Sequence, residues 1–152
     1  MKPIIMTKKQ LNSLVGEYIF HGSPKLFEIC KPHQATCESK NSDNEKNAIY
    51  GTNELDFAVV FAFEKLPLNG CHWRVVHVGD RCIAELDKDT YIDANSKGYL
   101  YCFNKNKFKQ VSVGSRQYIC EEIISPDMVV KLQYKDFKNL FVSVDFSKEI
   151  IK

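Results

Sequence analysis

Two kinds of apolar pattern divide the chain, and the first half mixes short helices with strands. Thr7-Lys8-Lys9-Gln10 has the capping-box spacing, in which the Thr hydroxyl and the Gln side chain satisfy amides at a helix start. Leu11, Leu14 and Val15 then give a short helical stripe, and Gly16 ends it. Tyr18-Ile19-Phe20 reads as a strand that breaks at His21 into Gly22-Ser23-Pro24, a turn composition. After Leu26-Phe27-Glu28-Ile29 comes a polar stretch from Lys31 to Asn47 without periodicity, predicted as a surface loop or lid. Ala48 to Thr52 predicts a second strand, and Thr52 or Asn53 is placed to cap the next helix, with Glu54 and Asp56 in its first turn. Leu55, Ala58, Val59, Phe61, Ala62 and Phe63 make that helix apolar over much of its circumference, which predicts burial, and Pro67 stops it.

From there the period shortens to that of strands. Trp73 to Val78 and Arg81 to Leu86 flank Gly79-Asp80 as a hairpin. Tyr91-Ile92, Gly98 to Phe103, Phe108 to Val113, Gln117 to Ile124 and Met128 to Tyr134 follow at β spacing, with Pro126-Asp127 separating the last two. Phe137 to Phe146 alternates Leu140, Val142, Val144 and Phe146 as a final strand, and Lys148 to Lys152 is expected to fray. The pattern predicts a strand-rich α+β fold with short helices mainly in the first half, as one domain over residues 1–152.

Composition changes this picture little. A 152-residue chain can bury a sufficient core without metal or disulfide, and a net charge of +2 selects no partner. The N-terminal apolar run is too short for a signal peptide and no stretch is long enough to span a bilayer, so a cytoplasmic protein is expected. The cysteines, Cys30, Cys37, Cys71, Cys82, Cys102 and Cys120, lack a scaffold spacing and are expected to be reduced, mostly as small core hydrophobes. Cys30, His33 and Cys37, with Cys71-His72, raise the question of zinc, but paired knuckles are missing and no metal is expected.

Three segments carry chemistry together. Phe20-His21-Gly22-Ser23, then Ile49-Tyr50-Gly51-Thr52 followed by Ala58 and Phe61, then Gln117-Tyr118-Ile119, resemble in order the three signature motifs of the ADP-ribosyltransferase fold, in its His-Tyr-Glu branch of diphtheria-toxin-like and poly-ADP-ribose-polymerase-like enzymes. The likeness runs from about Tyr18 to Phe137, and small bacterial relatives have similar lengths. It implies two packed antiparallel sheets around an NAD cleft, with NAD as co-substrate. His21 would bind the nicotinamide-side ribose, the Gly22 backbone the carboxamide, and Tyr50 and Phe61 the two faces of the nicotinamide, with Ser23 and Thr52 also in the binding site. Such a site must hold a flat cation between aromatic faces, fix ribose hydroxyls and stabilise positive charge that grows in the transition state.

The third motif departs from the family, which usually places a glutamate where this chain has Gln117. A glutamine amide binds a hydroxyl but carries no charge and is no base. Strand alternation puts Glu121 on the face of Gln117, so Glu121 is the neighbouring carboxylate that could assist, and a bulge would admit Glu122 instead. Solvent-facing glutamates on an edge strand explain both residues equally well. The resemblance implies a mono-ADP-ribosyltransferase acting on a protein, nucleic-acid or small-molecule acceptor, of the kind found among toxins and phage-conflict factors. The alternative is a binding module for NAD or ADP-ribose that has lost catalysis. Chemistry like that of tRNA 2′-phosphotransferase ranks below both, because it needs arginines around the histidine and the chain has only Arg74, Arg81 and Arg116.

Between Lys97 and Arg116 there are five basic residues and no acidic one, interleaved with Tyr99, Tyr101, Phe103 and Phe108. Lysines can neutralise phosphates and aromatics can stack on bases, so the segment reads as a candidate nucleic-acid surface. A hairpin with aromatics inward and lysines outward gives the same pattern and is the simpler explanation.

Overall fold

A computed structural model describes residues 2–27, 33–34 and 47–148, the side chains of 33–34 and 47–48 excepted. The chain is α+β, as the patterning predicts, with ten strands in two sheets among the described residues. Helix α1, Lys8–Asn12, starts on the predicted capping box: the Gln10 amide donates to Thr7 Oγ1 and the Thr7 amide to Gln10 Oε1. It is a turn shorter than the stripe suggested, and Val15 lies outside it, half exposed.

The larger sheet has the order β7-β8-β3-β1-β6-β9, with β2 added on β3. Its members are β1 (Tyr18–Ser23), β2 (His33–Gln34), β3 (Asn47–Thr52), β6 (Lys97–Asn104), β7 (Lys109–Gln110), β8 (Gln117–Cys120) and β9 (Met128–Gln133). All its pairs are antiparallel. The smaller sheet, β10-β5-β4, joins the predicted hairpin of β4 (Trp73–Val78) and β5 (Arg81–Asp87) to β10 (Phe141–Val144). Here the expectation of two antiparallel sheets is corrected, because β10 runs parallel to β5. Gly79 takes the positive φ of 61° that the tight hairpin turn requires.

Helix α2, Leu55–Phe61, is buried through Leu55, Ala58, Val59 and Val60 and lies against one face of the larger sheet. The contact is close because two glycines permit it. A Cβ on Gly22 would overlap the Ala58 carbonyl oxygen, and one on Gly98 would overlap the Ala62 carbonyl. Phe20, Leu100, Cys102, Val130 and Leu132 complete this core with residues of the smaller sheet. A second cluster, built on Ile19, Ile49, Tyr101, Phe103, Phe108 and Val129, lies on the opposite face.

Several elements differ from the sequence expectation for local reasons. The strand expected over Phe108 to Val113 is only Lys109–Gln110, because Phe108 turns into the second core and Ser112 to Ser115 form a turn around Gly114 at φ 78°. The strand from Gln117 stops at Cys120 instead of Ile124. Tyr91 makes only an isolated bridge to Leu66. The tail strand is confined to Phe141–Val144, after a 3₁₀ turn at Lys138–Leu140. Most of the predicted Lys31 to Asn47 loop lies outside the described residues; within it, His33–Gln34 form the two-residue strand that pairs with Ala48 and Asn47. Of the end expected to fray, 149–152 likewise lie outside. Among the described residues, no helix is long and apolar enough to cross a membrane.

Candidate functional site

Three neighbouring strands carry the three motif residues, His21 on β1, Tyr50 on β3 and Gln117 on β8. β1 pairs with β6 at all six of its residues but meets β3 at one Cα pair, Phe20↔Thr52. Beside that single pair the His21 ring reaches across, with Nδ1 at 2.7 Å from the Tyr50 carbonyl oxygen. A carbonyl only accepts, so Nδ1 carries the proton and Nε2 is the acceptor nitrogen of the neutral ring.

The histidine is set from behind by Tyr101, its Cα partner on β6, with ring centroids 6.0 Å apart. Tyr101 is fully buried, donates its hydroxyl to the Lys25 carbonyl and accepts the Phe27 amide, at 2.7 and 2.8 Å. Its ring stacks on Phe27 at 4.4 Å. The turn after His21 is therefore stapled to the sheet by a buried phenol, and Ser23 Oγ tightens it by accepting the Lys25 amide. Nothing in the sequence set Tyr101 apart from the other aromatics of its strand.

Register decides which side chains share a face. Gly22 faces α2, so His21, its neighbour along β1, projects to the opposite face with Tyr101. Gly51 looks toward Ile19 and Phe108 on that same opposite face, so Tyr50 and Thr52 project toward the α2 side. Thr52↔Gln117 and Tyr50↔Ile119 are cross-strand partners, which puts Gln117 on the side of Tyr50 and Thr52. The three motif residues are thus adjacent through their backbones, while His21 leaves the sheet on the face opposite Tyr50 and Gln117.

The remaining expected residues are dispersed. Thr52 is buried and its Oγ1 accepts the Glu54 amide, closing the turn into α2; the helix N-cap is Glu54, without a side-chain cap, so neither Thr52 nor Asn53 caps it. Phe61 packs on Phe57 and edge-on to Trp73, at 5.3 and 5.1 Å, and the structure does not bring it to His21 or Tyr50. Glu121 and Glu122 both lie beyond the end of β8 and are exposed. The alternation expected to align Glu121 with Gln117 therefore does not reach it.

A charged cluster that the sequence reading missed stands on the Gln117 side. Glu54 Oε1 accepts from Arg116 Nε at 2.8 Å, and its Oε2 lies 3.4 Å from His77 Nε2 on β4. The His77 ring lies nearly parallel to Phe57 at 6.1 Å. These groups are 62 and 23 residues from Glu54 in the chain, so no local pattern signals their meeting. Elsewhere, burial lowers the Lys65 ammonium to about 7; its Nζ donates to the Val60 carbonyl at the end of α2 and sits 4.0 Å over the Trp73 ring.

Among the described residues, no group of three or more His, Cys, Asp or Glu could hold a metal ion. Cys71, Cys82, Cys102 and Cys120 are free thiols, the last three buried, while the candidate ligands Cys30 and Cys37 lie outside the described residues. Comparison of the chain with protein-family models, with curated proteins and with solved structures finds no match.

Proposed function

We propose that the chain is an NAD-dependent mono-ADP-ribosyltransferase whose site is organised on β1, β3 and β8. The observation that carries this reading is the bond between His21 and the Tyr50 carbonyl, which ties the first two motif strands together beside the strand of Gln117. The residues present fit the recognition of NAD in part. The half-buried Tyr50 ring offers an aromatic face for a cationic nicotinamide on the face it shares with Gln117, while His21, on the opposite face of the sheet, acts on that side only by fixing the Tyr50 backbone through its carbonyl. Gly22, for which the carboxamide role is proposed, is paired with Leu100 of β6 and lies under the Ala58 carbonyl of α2. Phe61 is not given the second stacking role, since its ring is engaged by Phe57 and Trp73.

NAD supplies the chemistry, a glycosidic bond to a cationic ring whose departure leaves it neutral. Tyr50 excludes water, the Gln117 amide on the same face is offered to a ribose hydroxyl, and His21 holds the strand of Tyr50 in place from the other face. The chain departs from the family where a carboxylate would stabilise growing positive charge, and Gln117 cannot do that electrostatically. This favours a second reading, a module that binds NAD or ADP-ribose without turning it over, because losing the charge weakens transition-state stabilisation more than ground-state binding. Nicotinamide release separates the two readings.

A further inference from the structure

The geometry points to the β7–β8 hairpin and the turn before it as a docking edge for the phosphate backbone of a nucleic acid. The chain's net charge of +2 hides an asymmetry: residues 97–116 hold five basic and no acidic residues, against 16 basic and 19 acidic elsewhere. Three of these five basic residues fall on the turn after β6 and on β7, within five positions of one another, while Lys97, also exposed, stands at the opposite end of β6. Lys105 and Lys107 stand on the 3₁₀ turn Lys105–Lys107, and Lys109 on β7, the outermost strand; all three are exposed. Among the described residues no ion pair joins any of them to a carboxylate, and Lys105 Nζ donates to the Gly16 carbonyl. Arg116 adds no free cation to this edge, because Glu54 pairs with it.

The aromatic residues interleaved with these lysines are not part of the surface. Tyr101, Phe103 and Phe108 are buried in the second core, so the edge offers cations without stacking platforms. That combination contacts phosphates and leaves bases unread, which makes the expected binding strong in its salt dependence and weak in its sequence preference. The hairpin is also stiff: Gln110 Nε2 donates to the Ser115 carbonyl at 2.6 Å, the Gln117 amide to Ser115 Oγ at 3.0 Å and the Val111 amide to the Gln117 carbonyl at 3.0 Å. Lys109 is the cross-strand partner of Ile119, so it projects on the same face as Gln117, two residues along β8. A strand on the lysines therefore runs beside Gln117. If the NAD reading holds, nucleic acid is the acceptor class, and that consequence rests on the reading whereas the docking does not.

The test is binding of a fluorescein-labelled single-stranded oligonucleotide by anisotropy, without NAD, so that its failure is separate from failure of the catalytic reading. Three phosphate contacts predict a log–log salt slope near about −2, or about 20-fold weaker binding between ~50 and ~200 mM KCl. The variant Lys105→Gln/Lys107→Gln/Lys109→Gln should weaken binding at least about tenfold at low salt and flatten the slope, while Lys8→Gln/Lys9→Gln, which removes charge from α1, leaves both unchanged. Should the triple variant fold poorly by circular dichroism, Lys109→Gln alone should reduce the slope by about 0.7. Absence of binding at low salt, an unchanged slope in the lysine variants, or equal competition by polyglutamate would overturn the assignment.

Discussion

His21 Nδ1 lies 2.7 Å from the carbonyl oxygen of Tyr50, so a side chain of β1 occupies the backbone of β3 beside the one Cα pair these strands share. The bond ties β1 to β3 where they are otherwise hardly paired. His21→Ala should lower the unfolding free energy by about 1 kcal/mol, the usual net value of such a hydrogen bond, and read out as a lower urea midpoint with an unchanged slope. A loss well above that would mean the histidine is chiefly a packing residue of the second core.

Gln117→Glu tests the third position. A carboxylate there should raise the rate of nicotinamide release by about tenfold or more if this amide stands where transition-state charge develops. An unchanged rate in a variant that still binds NAD would move the catalytic role elsewhere on the face shared with Glu54.

The close approach of α2 to the sheet makes Gly98 a stability probe remote from the motif residues. Gly98→Ala places a methyl group into the Ala62 carbonyl and should cost about 1–3 kcal/mol, the range for overpacking a tight contact. Thermal denaturation of this variant beside Ala62→Gly, which loosens the same contact without the overlap, separates the steric cost from a loss of helix propensity.

Lys65 predicts a pH dependence. Its ammonium is lowered from 10.5 to about 7 in the fold, chiefly by burial, so between those values the unfolded chain binds the extra proton and stability rises with pH. Above 9.0 the buried thiols Cys82 and Cys102, raised to about 11 and about 12 by burial, reverse the trend, because the unfolded thiols ionise first. Urea midpoints should increase from pH 7 to 8.5 and decline beyond about 9. Lys65→Met should remove the rise and keep the decline, and a rise that persists in this variant would assign it to another group.

Glu54→Gln breaks the half-exposed ion pair to Arg116 and the half-exposed contact to His77. Its stability cost should stay under about 1 kcal/mol and shrink in high salt, as for other solvent-screened pairs. A larger, salt-insensitive loss in chemical denaturation would show that the cluster anchors the β4 to α2 contact.

What could be read from the sequence was local. The capping box of Thr7 and Gln10, the turn at Gly79 and the strand of Tyr50 each rest on residues a few positions apart, and each is present; the strand from Tyr18 is present too, but it runs through His21 and Gly22 to Ser23 instead of breaking at His21, because these residues pair with β6. The face of Gln117 followed from alternation, but the strand's end at Cys120 did not, because Glu121 to Ile124 continue an apolar-polar mix that no turn residue interrupts before Pro126. The parallel pairing of β10 with β5 spans more than fifty residues of chain and leaves no local trace. For the same reason Arg116 and His77 could not be placed on Glu54, and the isolation of Phe61 from His21 needed the packing of Trp73 to be known.

The most direct test of the central claim is incubation of the purified protein with NAD labelled on the adenylate side, with and without a lysate containing protein and RNA, following nicotinamide release. The predicted result is release with transfer of label, lost in His21→Ala and Tyr50→Ala variants that remain folded. Release absent but with NAD raising the unfolding temperature would support the binding module instead. The absence of both release and any shift in unfolding would contradict an NAD site on β1, β3 and β8.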